Sequence, residues 1–413
     1  MTAILPGDSE DEALPWGEIT DATIADAASM VGTVLRRDGM RWVNEATFDA
    51  TQHFIEGVGD RNPIFRDLEY GPSTRWGSMQ AHPSFLLAVD TGIIGPRMAG
   101  VTWIYAGVRW TWFDVLRVGD AFDAQSVFEG QRVMRPASPG RWVIQTGCVT
   151  YSRRPEDAVV AKAYTDIGRV PRVTVLPEDA SEERRERYKR REQYIYAPEE
   201  LEAIEDEILA MRPRGATPRF WEDVEVGEVL PRVVKGPLRS NDTVAWYSGT
   251  MGARPYGGAL EDAVHYRTRH KDYHVGASGV KDSPGRGHLE GQSGSDMGMG
   301  GAYDIGPQRV SWGMQAVTDW MGDDGFMHKF ASTLRSSNLI GDTTYWTGSV
   351  TGKERVGDYR LVHLGLRSVN QRGQVLAYGT ATVVLPSREG GPVVLPIPVD
   401  LVPDGTPEQP TES

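Results

Sequence analysis

The sequence predicts an α+β protein with two tandem copies of one fold, each a curved antiparallel sheet wrapped round a central helix. Each half carries an apolar helical segment followed by four strand-like runs rich in β-branched and aromatic residues. Landmarks also recur 222 residues apart, where Gly119-Asp120 is matched by Gly341-Asp342, Asp60 by Asp282 and His82 by Asp304. A buried helix against an antiparallel sheet is a stable layered arrangement. Pairing the two sheets edge to edge would hide two edge strands.

The first copy is predicted to span residues 41–170, after an N-terminal extension at 1–40. Its first helix follows Asn44, where apolar residues from Phe48 to Val58 share one face. A turn follows, because the residue before Pro63 avoids helical backbone. A second, buried helix is expected at 84–95. The strands are then expected at 102–111, 121–130, 141–151 and 158–170.

The second copy is predicted at residues 216–386, after a charged helical linker at 171–215. In the linker, segments 181–193 and 199–211 combine many charges with amphipathic spacing, which is typical of solvated helices. A short helix at 241–249 precedes an insertion at 250–280. The four strands of this copy are expected at 329–336, 343–351, 359–369 and 375–385, and residues 387–413 are expected to form a flexible tail.

The composition excludes several classes of protein. The net charge of −13 argues against nucleic-acid binding, which usually needs a basic surface. The single cysteine, Cys148, excludes an intrachain disulfide and a cysteine-built metal site, so a reducing cytoplasm is the expected compartment. No basic segment followed by an apolar core begins the chain, and no apolar run approaches the length of a membrane span.

The stretch 281–320 concentrates the residues that suggest chemistry. A glycine-rich loop carries an acid, Asp282, and an imidazole, His288. A buried helix is predicted to follow, because apolar residues recur at spacings of three and four, at Val310, Met314 and Val317. The first N–H groups of a helix have no acceptor within it, so the helix start can stabilise a developing oxyanion.

Two motifs in the first half resemble those of the MaoC-like acyl dehydratases, the hot-dog family that includes the R-specific enoyl-CoA hydratases. That family typically shows G-D-x-N-P-I-H-x-D, and residues 59–64 of this chain read GDRNPI. Phe65 stands at the position of the family's histidine, and Asp67 keeps the following acid. Residues 81–83 read AHP, which is similar to the helix start in the dehydratase branch related to type-I fatty acid synthase.

The second half resembles the same motif in a different way. His288 falls at the histidine position and Glu290 at the acid two residues later. Asp282 precedes the histidine by six residues, where the family has five, and residues 284–287 read PGRG in place of Asn-Pro-Ile. The resemblance implies two tandem hot-dog domains, of which the first holds a degenerate site and the second the candidate active site.

The resemblance implies a hydro-lyase of the enoyl-CoA hydratase or 3-hydroxyacyl-CoA dehydratase type, acting at the 2,3-position of an acyl thioester. Hydration needs a base for the water proton and an acid for the α-carbon. By this resemblance His288 is the base, Asp282 its acid partner, and the N–H of Gly306 the donor to the thioester oxygen. Substrate and water suffice, so no cofactor is expected.

Six further residues are assigned to substrate contact, each with a structural alternative: Asp60, Asn62, His82, Arg286, Tyr303 and Asp304. Arg286 suits a CoA phosphate, because a guanidinium fits phosphate well. Asn62 is expected mainly to shape its loop. For Asp304, capping of the helix is the favoured alternative, and Asp60 has a similar capping alternative.

The insertion offers one metal-like pattern. His270 and His274 are four residues apart, which is metal-ligand spacing if the segment is helical, but the sequence shows no obvious third ligand. A basic surface helix containing Arg267 and Lys271 is the favoured interpretation, so no metal site is predicted.

Two other functions fit the same motifs. The chain could be a catalytically silent acyl-CoA-binding protein or a partner subunit of a hydratase or aldolase-type complex. It could also be an acyl-CoA thioesterase, which shares the fold. The expected partners are an acyl-CoA substrate and either a second copy of the chain or another hot-dog chain, with no nucleic acid and no membrane.

Overall fold

A ten-stranded antiparallel sheet forms the framework of the protein. The computed structural model describes residues 18–37, 41–134, 141–170, 182, 190–254, 257–269, 274–275 and 278–399. The strands of the main sheet are β1 (Val34–Leu35), β2 (Thr102–Trp112), β3 (Ala121–Met134), β4 (Trp142–Arg154), β5 (Ala158–Val170), β6 (Val233–Lys235), β9 (Phe326–Leu334), β10 (Thr344–Val356), β11 (Tyr359–Asn370) and β12 (Val375–Val384). They are ordered β1-β3-β4-β5-β2-β9-β12-β11-β10-β6, and β7 (His274–Val275) and β8 (Lys281–Asp282) pair separately.

Helices lie before the strands of each half, as the sequence predicts. The α-helices of the described residues are α1 (Asp21–Ala28), α2 (Phe48–Val58), α3 (Tyr70–Ser73), α4 (Leu86–Val89), α5 (Pro198–Ala210), α6 (Ser240–Gly249), α7 (Glu261–Arg269), α8 (Gly291–Asp296) and α9 (Gly306–Met321). The predicted helix at 199–211 is therefore present as α5, whereas the predicted segment 181–193 lies largely outside the described residues.

The two halves join through one pair of strands. β2 and β9 pair over Gly107–Thr111 and Lys329–Thr333, so the expected edge-to-edge pairing of the two sheets is confirmed. Gly107 permits this contact, because a Cβ there would lie 2.7 Å from the carbonyl oxygen of Ser332. The first residues of β2, before Gly107, have no register with β9, and the two strands separate there.

The central helix of the second half is α9, which is buried along nearly its whole length. The predicted apolar spacing is confirmed, because Val310, Met314 and Val317 are fully buried in the core. Gly313 lets the helix approach the sheet closely, since a Cβ there would lie 3.0 Å from the Phe330 ring and 3.1 Å from Trp346. A long apolar helix packed on a sheet is the arrangement predicted for this copy.

The central helix of the first half is much shorter than predicted. The sequence predicts helix over 84–95, but the structure has only a 3-10 turn at Pro83–Phe85 and α4. Helix ends at Asp90, whose carboxylate accepts the N–H of Gly92 and forms an ion pair with Arg37 at 2.9 Å. The prediction was wrong because an apolar run alone does not separate helix from other buried backbone.

The turn that gave the 222-residue spacing is the same in both halves. Asp120 accepts the N–H of Arg117 at 2.8 Å, and Asp342 accepts the N–H of Leu339 at 3.0 Å. The preceding glycines both have left-handed backbone, with φ of 96° and 93°. These shared turn geometries confirm the duplication of the fold.

A different spacing relates the first helices of the two halves. α2 and α6 cross at Gly57 and Gly249, where a Cβ on Gly57 would lie 2.7 Å from the Trp246 Cα and one on Gly249 would lie 2.6 Å from the Phe54 Cα. Gly57 and Gly249 are 192 residues apart, as are Phe54 and Trp246. The spacing changes to 222 only after the insertion. At the spacing of 192, the counterpart of Asp60 is not Asp282.

No helix among the described residues is long and apolar enough to cross a membrane. The domain boundaries predicted at 171 and 387 lie beside segments that are only partly described, and they remain predictions.

Replacing Gly57 or Gly249 with Ala should destabilise the protein by about 1–3 kcal/mol, because the added methyl group would clash with the backbone of the opposite helix. Urea unfolding measures the change. Gly352→Ala is the control, since its Cβ would lie 3.7 Å from the nearest atom, in ordinary contact. Equal stability of Gly249→Ala and Gly352→Ala would contradict the close crossing.

Candidate active site

A cavity of about 690 Å³ lies between the two halves, beside the point where β2 and β9 separate. Its first-half wall includes residues 97–106 and the end of β5. Its second-half wall includes His288, Tyr303, Gly306 and residues 334–337. Both halves therefore contribute to one cavity, and four predicted site residues line it together: His288, Tyr303, Asp304 and Gly306.

His288 is held by backbone carbonyl groups. It ends a 3-10 helix, Pro284–His288, which starts where the Ser283 side chain accepts the N–H of Gly285. The Nδ1 atom of His288 lies 3.0 Å from the carbonyl oxygen of Tyr303 and 3.1 Å from that of Asp304. Carbonyl oxygens only accept hydrogen bonds, so Nδ1 carries the proton and Nε2 is the basic atom of the ring.

The surroundings of His288 favour a neutral imidazole. Burial lowers the pKa of His288 below its ordinary value, while the Tyr303 carbonyl and the charge of Asp304 act in the opposite direction. A neutral ring is the form that can accept a proton. The lowered pKa therefore leaves Nε2 of His288 able to accept a proton at neutral pH.

Tyr303 packs directly against this imidazole. The two ring centroids lie 4.2 Å apart with an interplanar angle of 51°. Gly287 makes room for the tyrosine, because a Cβ there would lie 3.1 Å from its ring. Tyr303 therefore restricts the orientation of His288 through packing as well as through its carbonyl group.

Helix α9 presents its N-terminus to the cavity. Gly306 is its first residue, and no side chain caps the helix at Ile305. A Cβ on Gly306 would lie 2.8 Å from the Tyr105 Cβ and 3.0 Å from Leu334, so the helix start fits closely between the two halves. The first N–H groups of a helix have no acceptor within the helix, and they carry partial positive charge.

Asp304 anchors this helix by an ion pair, so the expected capping role was wrong. Its carboxylate binds the Arg309 guanidinium with both oxygens, one of them 2.6 Å from Nε. Asn338 donates a further hydrogen bond at 3.2 Å, and Arg309 also donates to the carbonyl oxygen of Ser336 at 2.8 Å. Asp304 and Arg309 are both buried. The Asp304 carboxylate is thus occupied by the protein itself.

The structure does not bring Asp282 to His288. Asp282 is exposed, and its carboxylate accepts the N–H of Ser283 at 2.7 Å. It lines a neighbouring groove against α6 and α7, together with Arg286, whose guanidinium lies 3.1 Å from Glu290. Neither residue lines the cavity. The physical reason is the insertion, which separates Asp282 from the end of α6. In the first half, Asp60 follows the end of α2 almost directly.

Asp60 and His82 instead meet in the buried interior of the first half. His82 Nε2 lies 3.9 Å from an oxygen of Asp60, and both side chains are fully buried. Asp60 accepts the N–H of Asn62 at 2.8 Å, and Asn62 accepts the N–H of Ile64, so the expected loop-shaping contact of Asn62 is present. His82 Nδ1 accepts the N–H of Ser84, which leaves the proton on Nε2, facing Asp60.

Two further titratable residues lie near this pair and were missed in the sequence. Lys235 donates to the carbonyl oxygens of Val58 and Gly59, at the end of α2. Burial lowers the pKa of Lys235 to about 8, and burial with the nearby Asp60 charge raises the pKa of Asp319 to about 8. The available signal was that Asp319 is the only acid within the sequence of α9.

No group of three or more His, Cys, Asp or Glu side chains within the described ranges is arranged to hold a metal ion. His265 lies on the exposed helix α7, 3.4 Å from Glu261. His270 falls outside the residues that the structure describes.

Comparison with known proteins gives likeness of fold. No family model and no curated protein sequence matches the chain. A solved MaoC-like dehydratase superposes with a TM-score of 0.58 at 13% identity, covering 87% of this chain and 99% of that one. A putative MaoC domain protein dehydratase from Chloroflexus aurantiacus gives 0.52 at 11% identity, covering 87% and 96%. Rv0216 from Mycobacterium tuberculosis, described as having a double hotdog fold, gives 0.48 at 13%, covering 86% and 96%.

The buried His82 should make stability depend on pH. Burial lowers the pKa of His82 to about 3, whereas an unfolded histidine titrates near 6.5. Below pH 6.5 the unfolded chain binds a proton that the folded chain does not, so stability falls by about 1.4 kcal/mol per pH unit. Urea unfolding at pH 7 and pH 5 should show this loss, and His82→Asn should reduce it. His265→Asn is the exposed control, and identical pH dependence in both variants would contradict the assignment.

Proposed function

Because the chain has the double hot-dog fold of the MaoC-like dehydratases, we propose that it is a hydro-lyase that adds or removes water at the 2,3-position of an acyl-CoA thioester. One observation carries this proposal. His288, with its basic Nε2, and the uncapped start of α9 at Gly306 line the same cavity. A base beside an oxyanion donor is the combination that hydration of an enoyl thioester needs.

In the hydration direction His288 can serve as the single acid–base group. Nε2 takes a proton from water as the water oxygen bonds to C3 of the substrate. The electrons of the double bond move toward the thioester oxygen, where the N–H of Gly306 stabilises the charge. The proton on Nε2 then passes to C2, which restores the neutral imidazole. Every atom of the water is thereby accounted for, and dehydration follows the same steps in reverse.

This mechanism requires no contribution from Asp282. The carbonyl groups of Tyr303 and Asp304 orient the imidazole. The negative charge of Asp304 raises the pKa of His288 against the effect of burial, and so favours the transient imidazolium. A fixed ring and a nearby carboxylate supply the two functions that an aspartate partner usually has.

A catalytically silent acyl-CoA-binding chain is the second candidate. It is favoured by one observation, which is that a buried Phe65 stands in the first half where the family motif has its histidine. The two candidates differ in turnover, not in binding.

Replacement of His288 by Ala or Gln should lower hydratase activity at least ~10²-fold, because each removes the base. The assay follows loss of the enoyl absorbance with crotonyl-CoA and with a bulkier enoyl-CoA, while a thiol reagent reports any free CoA. His265→Ala is the control, since that histidine lies on an exposed helix. Binding without turnover by the wild-type protein would favour the silent chain, and release of thiol would indicate a thioesterase.

The rate should also depend on pH in a defined direction. His288 must be neutral to act as the base in hydration, and its pKa is lowered by burial. The value of kcat/KM for hydration should therefore stay constant as the pH falls to about 6.5, the ordinary histidine pKa, and should decline only below it. A decline that begins above pH 6.5 would rule out His288 as the base.

A further inference from the structure

A tryptophan on the first-half wall of the cavity is unusually exposed. Trp103 lies near the start of β2, in the part of the strand that has left β9, and 47% of its surface is accessible. The neighbouring tryptophans of the same strand, Trp110 and Trp112, are only 2% exposed. Large aromatic residues left open on a concave surface commonly serve as contact surfaces for a ligand.

A buried arginine supports this wall. Arg169, paired with Trp103 across β2 and β5, is 1% exposed, and its guanidinium lies 5.6 Å from the Trp103 ring. It donates hydrogen bonds to the carbonyl oxygens of Gly95, Met98 and Val101. No carboxylate among the described residues forms an ion pair with Arg169. Arg169 therefore fixes the loop 95–101 and adds an uncompensated positive charge to the wall.

The loop carries a second arginine to the cavity. Arg97 lines the cavity and adopts left-handed backbone with φ of 62°. Its ion pair with Asp26, at 3.6 Å, joins two side chains that are about half exposed, so the pair contributes little and leaves the guanidinium able to exchange partners.

The charge of the wall contrasts with that of the protein. No acidic residue is found among the described first-half residues that line the cavity. Asp304 is the one carboxylate among the described lining residues, and Arg309 neutralises it. The chain as a whole carries a net charge of −13. A local excess of positive charge beside an aromatic face, on an acidic protein, is suited to an anionic ligand that has a flat ring.

We propose that Trp103, Arg97 and Arg169 form the subsite for the nucleotide end of an acyl-CoA. The adenine ring packs on the exposed indole of Trp103, and a phosphate group pairs with the guanidinium of Arg97. Arg169 acts as a positioning residue that holds the loop and contributes its charge. This inference rests on the proposed function in taking acyl-CoA as the substrate. The two halves then have different roles, since the second half supplies the base and the first half binds the nucleotide of CoA.

Adenosine 3′,5′-bisphosphate tests the subsite without any reaction. Calorimetric titration should show binding to the wild-type protein. Trp103→Leu should weaken nucleotide binding about tenfold, which is within the range expected for the loss of one contact between a base and an aromatic ring. Trp103→Phe should keep most of the wild-type affinity. Arg97→Gln should weaken binding and reduce its dependence on salt. Trp42→Leu is a matched control, because Trp42 is 45% exposed with Arg254 5.2 Å from its ring, yet lies outside the cavity.

Two results would overturn the subsite. One is absence of nucleotide binding, and the other is binding that Trp103→Leu leaves unchanged but Arg335→Gln abolishes, which would move the nucleotide to the opposite wall. Turnover of crotonyl-CoA by the wild-type protein is measured alongside. Turnover without nucleotide binding refutes the subsite alone, whereas nucleotide binding without turnover refutes the hydro-lyase and leaves the subsite standing.

Discussion

The buried ion pair between Asp304 and Arg309 is the interaction on which the candidate site depends. It ties Asp304, two residues before α9, to the first turn of that helix, and Asn338, which follows β9, donates a hydrogen bond to Asp304. The carbonyl groups of the same short segment orient His288, and the helix start that follows is Gly306. Removing one partner of such a pair leaves an uncompensated charge in the core, which is far more costly than losing an exposed pair. The geometry of His288 and of the α9 N-terminus is therefore set by a contact that has no part in the proposed reaction.

The candidate site lies where the sheets of the two halves join. The strands β2 and β9 join the two sheets over a short stretch and then separate, and the cavity occupies the gap. The helices α2 and α6 also cross at two glycines, which gives a second contact between the halves. A third buried contact, in which Lys235 of the second half binds the end of α2 beside Asp60, also spans the halves. The first half thus retains a buried acid and histidine as part of its core, whereas the second half holds the accessible histidine.

Much of the fold could be predicted from the sequence, because it follows from periodicity. The strands have the composition and α9 the apolar spacing that indicate their structures, and the turns at Asp120 and Asp342 follow glycines with left-handed backbone. The first-half helix was predicted too long, since the Arg37–Asp90 contact that ends it joins residues 53 positions apart. The pairing of Asp282 with His288 failed because one constant spacing was carried across an insertion. His288 and Gly306 were predicted and do line one cavity, but the roles of Lys235 and Asp319 arise only from long-range packing.

The joining of both halves in one polypeptide has a consequence for how such a protein can change over time. In an assembly of two identical chains, every substitution appears at both sites at once, so neither can drift without the other. Here each half is encoded by its own part of the gene, so a substitution changes only one of the two halves. The segment between α6 and His288 is longer than the one between α2 and Phe65, and the central helix of the first half is shorter than α9, although all the main strands belong to one sheet. A single covalent chain therefore permits an asymmetry that two equal subunits would forbid.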